Sequence, residues 1–96
     1  MFESTIAPIR HRLIAAGVRR LGVFGSFARS EQGAGSDVDV LVSLDEKHRT
    51  FDNLFNIGEA LEEAFARRVD LVTEESLSSH LRPHILRDVR YVDLDR

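Results

Sequence analysis

Apolar positions along the chain switch repeatedly between helical and extended spacing, and the switches divide the sequence into its elements. Ile6, Ile9, Leu13 and Ile14 fall at helical intervals and predict an opening helix that Ser4 can cap. Pro8 is close enough to its start to be tolerated, and Gly17 ends it. Val18, Leu21, Val23 and Phe24 then predict a strand over 18–24 that runs into a turn at Gly25-Ser26. Phe27 to Glu31 leaves room for a turn or two of helix, and Gln32 to Ser36 reads as a flexible loop. From Asp37 to Leu44 the pattern begins as alternation and becomes the run Val40-Leu41-Val42. That predicts a second strand with an exposed entrance and a buried later half.

Thr50 can cap a long helix reaching to about Ala66, with Phe51, Leu54, Phe55, Gly58, Leu61 and Phe65 expected to face the sheet and Glu59, Glu62 and Glu63 turned outward. Val69 to Thr73 predicts a short strand with one acid, Asp70, among Val69, Leu71 and Val72. Pro83 suits the first turn of a last helix to about Val89, and Tyr91 to Leu94 reads as a short extended tail.

Composition adds bounds. A chain of 96 residues is expected to form one domain, 1–96, with a single modest core between a small sheet and a few helices. Hydrophobic residues at 43% and charged residues at 30% describe an ordinary soluble chain. No apolar run approaches a membrane helix, and the Met1-Phe2-Glu3 start lacks signal-peptide character, so a cytoplasmic location is expected. The absence of cysteine excludes disulfides and thiolate metal sites. A net charge of -3 disfavours a protein built to grip a nucleic-acid backbone. Lys47 is the only lysine, so no P-loop lysine stands near a glycine turn.

The chemistry concentrates between Gly25 and Asp39. Gly25 allows close backbone approach to a phosphate, the helix start behind it presents unpaired N–H groups to an anion, and Ser26 adds a hydroxyl donor. Asp37 and Asp39 lie two apart at a strand entrance, which places both carboxylates on one face with Cα atoms about 7 Å apart. Carboxylates whose oxygens approached within about 5 Å would repel by roughly 3 kcal/mol at an effective dielectric of 20, an arrangement tolerated when a cation or proton intervenes. Hard oxygen ligands that share their cation with phosphates point to Mg²⁺. Asp70, on a neighbouring strand, could share the metal or take a proton from an attacking hydroxyl.

Gly-Ser, a loop of about ten residues, Asp-x-Asp and a third acid on a later strand form the signature of the polymerase-β-like nucleotidyltransferase superfamily, which this chain resembles. The nearest resemblance is to the minimal nucleotidyltransferases, the MntA-like antitoxins of HEPN/MNT toxin–antitoxin systems. It is carried by Leu21-Gly22-Val23-Phe24-Gly25-Ser26-Phe27-Ala28-Arg29, by Ser36-Asp37-Val38-Asp39-Val40-Leu41-Val42, and by Arg68-Val69-Asp70-Leu71-Val72. The closing Leu86 to Val92 also looks like the family's last helix and tail, while Ser30 stands where relatives often carry Gly.

The resemblance implies an α/β (α+β) fold, a small mixed sheet flanked by helices. It implies two Mg²⁺ ions and ATP as substrate, with Asp37, Asp39 and Asp70 as metal ligands and catalytic residues and Asp70 also as the base. Gly25 and Ser26 would bind the triphosphate, joined by Arg29 and Ser36. It further implies a HEPN-domain ribonuclease toxin as partner, neutralised when AMP is added to a tyrosine. The small size fits an acceptor that arrives on another chain. Two other readings are an antitoxin that masks its partner without catalysis, and transfer to a small molecule. Arg29 reads equally as a surface residue closing a short helix, His80 and His84 as surface histidines, Arg19 and Arg20 as solvated, and Tyr91 as a packing or interface residue.

Overall fold

The computed structural model describes residues 2–29 and 37–94. Four strands form a mixed sheet in the order β3-β2-β1-β4: β1 (Val18–Phe24), β2 (Val38–Leu44), β3 (Val69–Thr73) and β4 (Arg90–Val92). β1 pairs antiparallel with β2 and with β4, whereas β2 and β3 run parallel. A parallel neighbour requires a crossover, and α4 (Phe51–Phe65) supplies it.

Val38, Val40 and Val42 alternate onto one face of β2 and meet Leu21 and Val23 of β1. Ile6, Ile9, Leu13, Ile57 and Leu61 close this core from the helical side. The opposite face carries Asp39 and Leu41 by the same alternation. Over its β1 side lies α5 (Arg82–Asp88), whose following residue, Val89, rests on Gly22. A Cβ built at Gly22 would come 2.5 Å from Val89 Cγ2 and 3.2 Å from Tyr91 Cδ1, so this approach needs glycine.

The opening helix is broken into α1 (Glu3–Ile6), a 3₁₀ turn over Ala7–Ile9 and α2 (Arg10–Ala15). Pro8, in the first positions of the 3₁₀ turn, cannot donate a backbone hydrogen bond. Ser4 does not cap; Phe2 is the N-cap, and no side chain bonds there. Ile14 is 48% exposed, off the buried stripe. Thr50 does cap α4, its hydroxyl accepting from Asn53 N–H at 3.2 Å. Asn53 Nδ2 then ties α4 to the end of α2 by donating to Ala16 O at 2.7 Å.

The α4 stripe is rotated from its expected placement. Ile57, Ala60 and Leu61 are buried, but Phe51 and Phe55 are 83% and 60% exposed. Phe51 and Phe55 lie on the flank of α4 turned toward the edge strand β3, while Ile57, Ala60 and Leu61 face the core. There Phe51, Leu54 and Phe55 join Leu71, Val72, Thr73 and Ser76 around an apolar groove of about 530 Å³. The extended tail is shorter than expected but structural, since Arg90–Val92 is the fourth strand. No described helix is long and apolar enough to cross a membrane.

Candidate active site

β1 ends at Phe24 in extended backbone, and Gly25 then turns the chain at φ +72° into α3 (Gly25–Ala28). A residue with a Cβ would be strained at that angle. Phe27 anchors the short helix from behind. Its ring lies 5.9 Å from Phe2 and 5.7 Å from Phe65, a three-ring cluster that fixes α3 against α1 and α4. Ser26 is half-buried in the first turn of α3, beside Gly25.

Asp39 stands opposite Phe24 in the antiparallel register of β1 and β2. It is close enough to Gly25 that a Cβ there would collide with Asp39 Oδ2. The Gly25 turn and the acidic strand are therefore in contact, and glycine is required twice over, for the angle and for the space.

Asp70 is paired with Asp39 in the parallel register of β2 and β3. It is exposed, because β3 is the sheet edge. Asp37 is also exposed and lies just ahead of β2, which begins at Val38 rather than at Asp37. Partial burial pushes the Asp39 carboxyl above the ordinary carboxylate range, the negative charges of Asp70 and Asp37 push it further, and Arg29 opposes them. Three carboxylates thus act on one point, and Asp39 with Asp37 or Asp70 could hold a hard divalent cation. Among the described residues, no three acidic, His or Cys side chains form a closed metal cage.

Arg29 closes α3, and its Nη1 donates to Asp88 Oδ2 of α5 at 2.9 Å. Arg29 is thus an exposed residue at the end of α3, as one reading of the sequence expected, and it is paired there with α5. No short-range pattern announces this partner, 59 residues away in sequence. Ser36 lies outside the described residues, as does the stretch from 30 to 35. His80 and His84 pack ring against ring at 6.4 Å on the exposed surface. Arg20, expected to be solvated, bonds the nearly buried Glu74 at 2.7 Å and lies over the Tyr91 ring. Tyr91 is thereby a packing residue of β4, its hydroxyl pKa raised by burial and by the charge of Glu74.

The sequence model of the nucleotidyltransferase domain matches residues 6–92, a span that takes in Gly25, Asp39 and Asp70 together. The chain belongs to the nucleotidyltransferase domain family. This nucleotidyltransferase is similar to the protein adenylyltransferase MntA of Thermococcus cleftensis, with 43% identity over 76 residues, covering 79% of this chain and 76% of the relative. Its fold matches a structure assigned as a minimal nucleotidyltransferase at a TM-score of 0.72 and 35% identity, covering 94% of this chain and 95% of the other. It also shares its fold with a structure of a tri-AMPylated Shewanella oneidensis HEPN toxin in complex with an MNT antitoxin. There the TM-score is 0.67 with 19% identity, covering 95% of this chain and 71% of that one. The small mixed sheet and the nucleotidyltransferase class follow from the sequence family and the observed topology together.

Proposed function

We propose that this nucleotidyltransferase is an antitoxin that moves AMP from ATP onto a tyrosine of a HEPN-domain toxin, and neutralises the toxin by that modification. The observation that carries the reading is the contact of the Gly25 turn with Asp39, which is itself paired in register with Asp70. The adenylyltransferase name of the 43% identical relative supports AMP as the group transferred. The toxin–antitoxin neighbour supports the class of acceptor.

The residues fit Mg²⁺. Burial raises the Asp39 carboxyl most and the charges of Asp70 and Asp37 add to it, a cost a cation would relieve; Mg²⁺ is ordinarily held by one or two carboxylates together with substrate phosphates and water, so a complete protein cage is not required. Asp37 and Asp39 would hold it, with Asp70 contributing. When bound, it would draw negative charge off the triphosphate.

The chain's own groups do the rest. The Gly25-Ser26 turn binds triphosphate oxygens through backbone N–H groups and the Ser26 hydroxyl, and Arg29 adds charge-assisted bonds. Ser36 is a further candidate on the neighbouring segment. Asp70, exposed at the sheet edge, accepts the proton of an incoming tyrosine hydroxyl. The phenolic oxygen attacks the α-phosphorus in line, a new P–O bond forms, the bond to the departing pyrophosphate breaks, and AMP-tyrosine remains. The exposure of Asp70 supports an acceptor presented by another protein.

Protection of cells separates this reading from a masking antitoxin. Wild type should neutralise the toxin, and a folded Asp37→Asn, Asp39→Asn double variant that still binds the toxin should not. Full protection by that variant would refute catalytic neutralisation.

A further inference from the structure

Asp88 closes α5 and takes no direct part in the chemistry above, yet its Oδ2 accepts from Arg29 Nη1 at 2.9 Å. Arg29 in turn is anchored to the nucleotide turn by its backbone, whose N–H donates to Gly25 O at 3.2 Å. α5 has its own seat on the sheet, because Gly22 leaves room for Val89, the residue after Asp88. The chain of contacts therefore runs from the sheet through Val89 and Asp88 to the Arg29 guanidinium. That guanidinium lies within electrostatic reach of Asp39, whose carboxyl it stabilises as the anion.

We infer that Asp88 is a positioning residue, holding the Arg29 guanidinium at the mouth of the Gly25–Asp39 site so that it meets the nucleotide triphosphate already oriented. The inference rests on the proposed reading of Gly25, Ser26 and Arg29 as the triphosphate site. An unrestrained arginine samples many rotamers, and ordering it on binding weakens affinity; a carboxylate partner removes that penalty beforehand. One guanidinium can serve both anions, since it carries five N–H donors in a rigid fork. The pair is also the right kind for the task. Its side chains are 45% and 38% exposed, so it orients Arg29 without locking it in the core.

A double-mutant cycle on the full chain tests this, with affinity for a non-hydrolysable ATP analogue plus Mg²⁺ read by titration calorimetry. Arg29→Ala and Asp88→Ala should each weaken binding on the order of tenfold, and Asp88→Ala should have almost no further effect in the Arg29→Ala background. Asp88→Glu should recover part of the loss, and melting temperatures should stay close to wild type because the pair is half-exposed. Equal effects of Asp88→Ala in both backgrounds would overturn the positioning role, as would wild-type affinity in Asp88→Ala while Arg29→Ala is weakened. If Ser26→Ala and Arg29→Ala both bind like wild type, the triphosphate-site reading itself has failed, and Asp88 falls with it.

Discussion

Asp39 and Asp70 are direct partners in the parallel register of β2 and β3. Parallel strands lie about 4.8 Å apart, so backbone pairing alone brings two carboxylates to one spot at the end of the sheet. Partial burial raises the Asp39 carboxyl most, and the neighbouring charge of Asp70 raises it further. Two like charges on paired residues cost stability, and a cation between them would remove that cost.

Gly25→Ala should damage the site more than any other single-methyl change. The added Cβ meets Asp39 Oδ2 and sits at φ +72°, a strain of about 1–2 kcal/mol before the collision is counted. The variant should unfold at lower denaturant concentration and lose most ATP-analogue affinity. Wild-type values for both would show that the turn and the acid strand are not in contact.

Leu61→Ala and Phe55→Ala should separate cleanly, although both residues belong to the same apolar pattern of α4. Leu61 is fully buried and its truncation should cost about 2–5 kcal/mol. Phe55, 60% exposed, should cost under about 1 kcal/mol despite its larger side chain. Urea unfolding of the two variants checks the rotated placement of the helix, and equal losses would contradict it.

Ala66 ends α4 in the left-handed region at φ 55°. Glycine adopts this angle without the Cβ penalty, so Ala66→Gly should stabilise the chain by about 1 kcal/mol, read as a raised melting temperature. A destabilised variant would mean that the αL cap does not form.

Asp45 accepts from both the ring and the backbone N–H of His48, at 2.6 and 3.2 Å, and the His48 hydrogen bond holds its carboxyl below the ordinary 3.8. A lowered folded-state pKa means stability that is present above the unfolded value and is lost as pH falls through the folded one. The melting-temperature gap between wild type and Asp45→Asn should therefore be widest near neutral pH and should close in acid below 3.8. A gap that widened in acid would reverse the sign.

Much of this was legible in the sequence because it is local. The run Val40-Leu41-Val42 predicted the buried later half of β2, Thr50 marked the start of α4, and Gly25 and Asp39, singled out by their spacing, are in contact. What escaped depends on distant partners. Phe51 and Phe55 have helical spacing like their buried neighbours, but they lie on the flank of α4 beside the edge strand β3 and stay exposed. The tail became a strand because β1 had a free edge to offer it. Asp88 and Arg29 lie 59 residues apart, and no sequence pattern pairs them.

The most direct test of the account is the intact mass of the HEPN partner after incubation with this protein, ATP and Mg²⁺, followed by mapping of the modified residue. Wild type should add AMP to a tyrosine, and Asp39→Asn and Asp70→Asn should each reduce the rate by at least about 100-fold while retaining wild-type melting temperatures. An unmodified HEPN protein after incubation with folded wild-type chain, or undiminished transfer by Asp39→Asn, would contradict the central claim.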